Sequence, residues 1–218
     1  MARLGAEQDF AQPEVVRAFP TFVWKTRLFP AQRQSINAAI RAKLTEIRRQ
    51  PPELPRGESW QSSHGLHRIE ALSGLVACLE KAAAAVLDFL KIEYDALRIT
   101  GCWATMSAPG AAHRMHSHPN NFLSGVYYVQ VGEGADTINF HDPRPQSGII
   151  RPPVTALTAY NTDLVVVRVE EGMLLLFPAW LPHSVDANAS DRLRISVSFN
   201  LMFSGYAERL SQPLWGEQ

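Results

Sequence analysis

GMLLLFPAWLPHSVDANASDRLRISVSFN, residues 172–200, holds two strands of opposite character. The first, over 173–178, is an unbroken apolar run after a turn glycine, the pattern of a strand buried on both faces. The short segment Pro178-Ala-Trp-Leu-Pro182 then turns the chain and delivers His183 to the end of a sheet. The second strand, over 193–202, alternates: Ile195, Val197, Phe199 and Leu201 share one face, and Arg194, Ser196, Ser198 and Asn200 share the other. An unbroken polar face on a central strand is costly unless it meets water or a polar ligand. An arginine with a serine hydroxyl two residues on also makes a fork for a carboxylate. The plainer alternative is an edge strand whose polar face is solvated, with Arg194 in a surface ion pair.

Working outward, the spacing predicts further strands over 97–106, 122–131, 136–140 and 163–169, separated by Pro109-Gly110, Gly132-Glu-Gly134 and Asp142-Pro-Arg-Pro145. Many short strands with long connections suit a sandwich or a jelly roll. Upstream, residues 13–29 are rich in aromatic and β-branched residues and predict a strand that Pro30 ends. Residues 31–49 carry Ile36, Ile40, Leu44 and Ile47 at helical spacing, with the basic run to Arg49 on a solvated face. A loop over 50–57 precedes a second helix over 66–91, about seven turns long, marked by Leu66, Ile69, Leu72, Val76, Leu79, Ala83, Val86 and Leu90. Both stripes are expected to pack on the outside of a sheet. The length suits one domain, 1–218: an N-terminal strand and supporting helices over 1–96, a β core over 97–204 and a tail over 205–218.

Composition narrows the function classes. Lys plus Arg equals Asp plus Glu at 21 each, so no global field draws in nucleic acid or anionic lipid. Cys78 and Cys102 are too few for a disulfide framework. The N-terminus lacks the layout of a secretory signal, and no apolar run approaches the roughly 20 residues that cross a bilayer. A cytoplasmic protein is expected, and no feature specifies an oligomeric state.

In Ala112-His113-Arg-Met-His116-Ser-His118-Pro119, His116 and His118 stand two residues apart, so in an extended chain both imidazoles face one spot. Imidazole suits Fe, Zn, Ni and Cu. With His183 from far along the chain, three candidate metal ligands converge if a barrel closes. Taken alone, His-x-His is more often surface or packing. His113 and His141 are candidates to line the barrel mouth or to support the ligands from outside, with exposure the simpler reading of His113. Trp103, Phe177 and Trp180 are expected in the core, and Trp60 through His64, with His67, either cap the second helix, the commoner role, or reach the barrel mouth.

Together, His116, His118, His183, Arg194 eleven residues later and Ser196 resemble the 2-oxoglutarate- and Fe(II)-dependent oxygenase superfamily over roughly 97–204. The stretch from His118 through Ser124-Gly-Val-Tyr-Tyr128 to Val129 resembles the strand after its first ligands, as in a bacterial and phage branch with a His-x-His-Pro motif. The resemblance implies a double-stranded β-helix (a cupin-like jelly roll) flanked by two α-helices. It implies Fe(II) held by His116, His118 and His183, with 2-oxoglutarate and dioxygen as cosubstrates. Arg194 and Ser196, with Tyr128, would hold the distal carboxylate of 2-oxoglutarate. The activity implied is hydroxylation of a small molecule or peptide, with release of succinate and carbon dioxide. One departure is plain: His118 stands where the superfamily places Asp or Glu. A register with His118 and Asn120 as the ligand pair stays open beside His116 with His118, and Asp142 is a candidate carboxylate from a neighbouring strand. Two rival functions also stand: a three-His cupin-type metalloenzyme without 2-oxoglutarate, and a metal-free jelly-roll binding module.

Overall fold

The structure is a computed structural model and describes residues 14–48 and 54–207. The chain enters through strand β1 (Trp24–Arg27) and helix α1 (Pro30–Arg48), followed by β2 (Ser59–Gln61) and α2 (Ser73–Leu90). Then come β3 (Leu97–Ser107), β4 (His113–His116), β5 (Leu123–Gln130) and β6 (Thr137–His141). The last part holds β7 (Leu164–Arg168), β8 (Met173–Pro178), β9 (His183–Val185), β10 (Arg194–Phe203) and the short α3 (Ser204–Ala207).

All the strand pairs are antiparallel and form two sheets, β1-β8-β5-β10-β3-β2 and β4-β9-β6-β7. From β3 to β6 the chain alternates between the sheets, and from β7 to β10 it does so again. This is the double-stranded β-helix, with α1 and α2 on its outer side. Alternation decides which residues face where. Leu174, Leu176, Val197, Phe199 and Tyr127 point outward and share a core with Ile36, Ile40 and Leu44 of α1 and Leu75, Leu79 and Val86 of α2. Leu175, Phe177 and Tyr128 point inward and meet Ile138 and Phe140 of the smaller sheet. The apolar run over 173–178 is therefore buried on both faces, as its composition predicts.

Three boundaries differ from the sequence reading. The strand expected over 13–29 is confined to Trp24–Arg27, and residue 13 lies outside the described residues. Pro30 opens α1 instead of merely ending a strand, because its fixed φ and missing N–H suit the first helical position. The helix expected over 66–91 is two 3₁₀ turns, Leu66–Arg68 and Glu70–Leu72, followed by α2. Leu66, Ile69 and Leu72 recur every three residues, which is the period of a 3₁₀ turn and mimics a helical stripe over a short window. The expected loop and tail are described only from residue 54 and only to residue 207, respectively. Among the described residues no helix is long and apolar enough to cross a membrane.

Polar contacts of Asn37 and Arg41 tie α1 to the sheet, and those of Asn37 are the more buried. Asn37, 4% exposed, donates to the Val129 carbonyl at 3.1 Å and to Glu171 Oε1 at 2.9 Å, while the Tyr127 hydroxyl donates to Asn37 Oδ1 at 2.7 Å. Asn37→Ala leaves the buried Tyr127 hydroxyl without its acceptor and takes one donor from the Val129 carbonyl, which keeps Arg41 Nη2 at 3.2 Å, and is expected to cost about 2–3 kcal/mol. In a chain of this size that lowers Tm by roughly 5–10 °C. Tyr127→Phe removes only the hydroxyl and should cost about half as much. Thermal melts of the two variants check both the sign and the ratio.

Candidate functional site

β4 and β9 are neighbours in the smaller sheet, and their register sets His116 directly opposite His183. The two ring centroids are 4.3 Å apart. His118 lies past the end of β4, not on it, so shared strand geometry is not what aligns it with His116. Instead its backbone N–H donates to the Ala179 carbonyl at 2.8 Å, which pins the turn against the segment leading to His183. Its ring centre then stands 5.0 Å from His116 and 5.1 Å from His183. One ligand atom from each of the three lies within 4.8 Å of the others, so the three could share a single cation.

Hydrogen bonding prepares two of these rings as ligands. His116 Nδ1 is 2.8 Å from the Arg114 carbonyl, and His183 Nδ1 is 3.0 Å from the Leu181 carbonyl. A carbonyl only accepts, so each Nδ1 carries the proton and each Nε2 keeps its lone pair for a cation. The other candidate ligands have different surroundings. Asn120 is exposed in the following turn with a left-handed backbone (φ 62°). The Asp142 carboxylate accepts from Arg144 at 2.7 and 2.9 Å and is not in the ligand group.

Burial keeps the His118 and His183 imidazoles neutral. His118 is lowered to about 3, first by desolvation and then by His183, His116 and His64. His183 is lowered to about 4, again first by desolvation; its bond to the Leu181 carbonyl opposes the shift, and His116, His113 and His141 add to it. Folded values below the unfolded value near 6.5 mean that the unfolded chain binds more protons below that pH. Stability of the metal-free protein is therefore full above pH 6.5 and falls as pH drops toward 4, by up to about 1.4 kcal/mol per unit for each ring. Urea unfolding at pH 7 and pH 5.5 should show the loss, and His118→Gln should reduce it.

The cavity beside the histidines runs to Arg194. β10 sits between β5 and β3, so the edge-strand alternative is excluded and its polar face looks into the barrel. In register, Ser196 is opposite Tyr128 on one side and Thr105 on the other, Arg194 is opposite Ser107, and Ser198 is opposite Trp103. Arg194 is 5% exposed, with its guanidinium carbon 5.4 Å from the centre of the Tyr128 ring. Among the described residues no carboxylate pairs with it, and neither its Nε nor the Tyr128 hydroxyl has a hydrogen-bond partner. A buried cation without a counter-ion is strongly unfavourable unless an anion visits. Burial raises Tyr128 to about 12, against the opposing pull of Arg194, so its hydroxyl stays a donor.

Other expectations are corrected. His113 is not simply exposed: it is half-buried and lines the cavity. Trp180 is 53% exposed in the turn between β8 and β9, while Phe177 is buried in the core as expected. Residues 59–61 form a strand on β3 instead of capping a helix, and Gln61 reaches the cavity. His64 stacks on Trp103 at 4.5 Å, and Trp103, at 8% exposure, is 5.8 Å from His118. His141 bonds Ser184 Oγ at 2.8 Å, outside the cavity lining. Thr105 and Ser107 were legible in principle, since Trp103, Thr105 and Ser107 alternate on one face of β3.

The residues present fit both groups that such a site implies. Three imidazoles converge with free lone pairs, and an unpaired buried guanidinium and phenol wait at the other end of the same cavity. Residues 101–200 match a family model described as “Putative 2OG-Fe(II) oxygenase”. Solved structures of similar fold include the non-heme alpha ketoglutarate dependent carbocyclase SnoK from nogalamycin biosynthesis, with TM-score 0.62, 17% identity and 90% of each chain covered. HygX from Streptomyces hygroscopicus, with nickel, 2-oxoglutarate and hygromycin B bound, has TM-score 0.57 at 13% identity, covering 84% of each chain. A Pseudomonas putida prolyl-4-hydroxylase has TM-score 0.54 at 16% identity, covering 84% of this chain and 93% of its own. No curated protein matches the chain.

Proposed function

The barrel of this chain, over residues 101–200, belongs to the 2-oxoglutarate- and Fe(II)-dependent oxygenases, and from that premise we propose how its residues divide the work. His116, His118 and His183 hold the iron, and Arg194, Ser196 and Tyr128 hold the distal carboxylate of 2-oxoglutarate. Bound there, iron with 2-oxoglutarate and dioxygen supplies the oxidising power to hydroxylate a C–H bond, releasing succinate and carbon dioxide. The single observation that carries this reading is the buried, carboxylate-free Arg194 facing the same cavity as the imidazole triad.

The chain's own residues do three things. The triad fixes the cation, and in His116 and His183 the proton-bearing Nδ1 is turned to a carbonyl, so no proton competes at their Nε2. Arg194 and the protonated Tyr128 orient a carboxylate, with the Ser196 hydroxyl opposite Tyr128 in the ladder. Val126, Ile138 and Phe177 give the cavity apolar walls that limit water. Because the ligands are neutral, a bound dication keeps its full charge, and the cavity favours dianionic cosubstrates more than a site with a carboxylate ligand would. The helices and barrel share one apolar core, which supports reading the chain as one domain. The substrate is a small molecule or peptide, the classes represented among proteins of similar fold: hygromycin B in HygX and a peptide fragment in a Trichoplax adhaerens prolyl hydroxylase.

Anaerobic titration with Fe(II) and then 2-oxoglutarate tests the assignment, since keto-carboxylate chelation gives a visible charge-transfer band. Iron binding without the band points to a three-His cupin-type enzyme. Protein that takes up no metal is a binding module. If the band appears, succinate release over pools of small molecules and peptides follows.

A further inference from the structure

His113 opens β4, and Val185 of β9 stands opposite it. Residues three apart on a regular strand point to opposite faces, so His113 and His116 should diverge. They do not, because the β4–β9 register slips between them, and both side chains line the cavity. Such an irregularity re-aims a side chain at the expense of regular pairing.

His113 Nε2 is buried without a hydrogen-bond partner among the described residues. It is not a further metal ligand, since the group of mutually close ligand atoms comprises only His116, His118 and His183. Both His116 and Arg194 are near enough to act on it electrostatically. Arg194 Nε and the Tyr128 hydroxyl are unpaired too, and they line the same cavity. Guanidinium Nε only donates, while a phenol and a neutral imidazole each offer one donor. Three buried polar atoms, each able to donate and each without a partner among the described residues, belong to residues lining one cavity, and an acceptor bound there would satisfy them.

We propose that His113 binds the cosubstrate directly, donating from Nε2 to the carboxylate that Arg194 and Tyr128 hold. The proposal rests on the 2-oxoglutarate reading above and deepens it: His113 helps the pocket select a 2-oxo acid with a second carboxylate over one without.

The test is anaerobic titration of Fe(II)-loaded wild type, His113→Phe and His113→Gln with 2-oxoglutarate, and separately with 2-oxobutyrate, which lacks the distal carboxylate. In His113→Phe the affinity for 2-oxoglutarate should fall roughly 10- to 100-fold, the effect of a hydrogen bond to a charged group. Affinities for Fe(II) and for 2-oxobutyrate should not change, and His113→Gln, with its amide N–H, should recover part of the loss. Unchanged 2-oxoglutarate affinity in His113→Phe overturns the proposal and leaves water as the partner of this nitrogen. Equal losses for both 2-oxo acids, or loss of Fe(II), overturn it in favour of a structural role for β4. Iron-loaded wild type that fails to bind 2-oxoglutarate defeats the parent reading, and this proposal with it.

Discussion

The His183→Ala variant is expected to lose its metal, with affinity for Fe(II) falling by more than about 100-fold. Loss of a mere outer-shell partner of a metal ligand already costs roughly 10- to 100-fold, and His183 is placed as a ligand itself. It is 4% exposed and is the buried member of a triad whose partner across the ladder, His116, is open to solvent. Without it, two imidazoles remain, one of them on a turn, and the candidate carboxylate, Asp142, is held by Arg144 outside the ligand group. Removing this ring also opens space against Phe177, whose centroid is 4.8 Å away, so a folding defect is the competing explanation. His116→Ala separates the two. Its side chain is exposed, so its loss leaves no cavity, yet it should abolish metal binding as well. Asp142→Ala should keep the metal. Metal content after desalting, with far-UV circular dichroism on the same samples, reads all three. Stoichiometric iron in folded His183→Ala protein would sink the triad.

What could be read from the sequence follows the regularity of the strands. β8 and β10 are six and ten residues long, enough for composition to show burial on both faces in the first and a polar inner face in the second. Arg194, Ser196 and His183 were found that way. β4 and β9, which carry the triad's geometry, are four and three residues long, too short for any period to register. His116 and His118 were identified on the assumption of a shared strand face, whereas the structure brings them together through a strand end and a pinned turn. His113 was misread for a related reason, because a register slip inverts the parity that alternation relies on, and nothing in Ala112-His113-Arg114 announces it. β2 escaped because three residues beside a helix start look like a cap until β3 is seen to pair with them. Trp180 shows the opposite limit: an aromatic residue next to a buried strand was assigned to the core, but the turn that carries His183 inward carries its neighbour outward.

Arg194→Met should show two effects of opposite sign. Binding of 2-oxoglutarate should weaken by about 30-fold to several thousand-fold, since truncating one partner of a buried, hydrogen-bonded charge pair costs about 2–5 kcal/mol, at about 1.4 kcal/mol per factor of ten. Fe(II) affinity should not change, because the guanidinium is not in the ligand group. Without ligand, the same variant should be at least as stable as the wild type. Arg194 is 5% exposed and has no carboxylate partner among the described residues, so the empty wild-type barrel bears the desolvation of an unpaired cation that a methionine of similar length removes. Added to proteins already loaded with Fe(II), 2-oxoglutarate at a concentration that saturates the wild type should then raise the Tm of the wild type and leave that of Arg194→Met nearly in place, reversing their order. A cation kept only for packing or fold stability behaves differently: its replacement lowers Tm with and without ligand and weakens metal and cosubstrate together. The crossing of the two melting curves is therefore what distinguishes an arginine held in readiness for an anion from one that holds the barrel up.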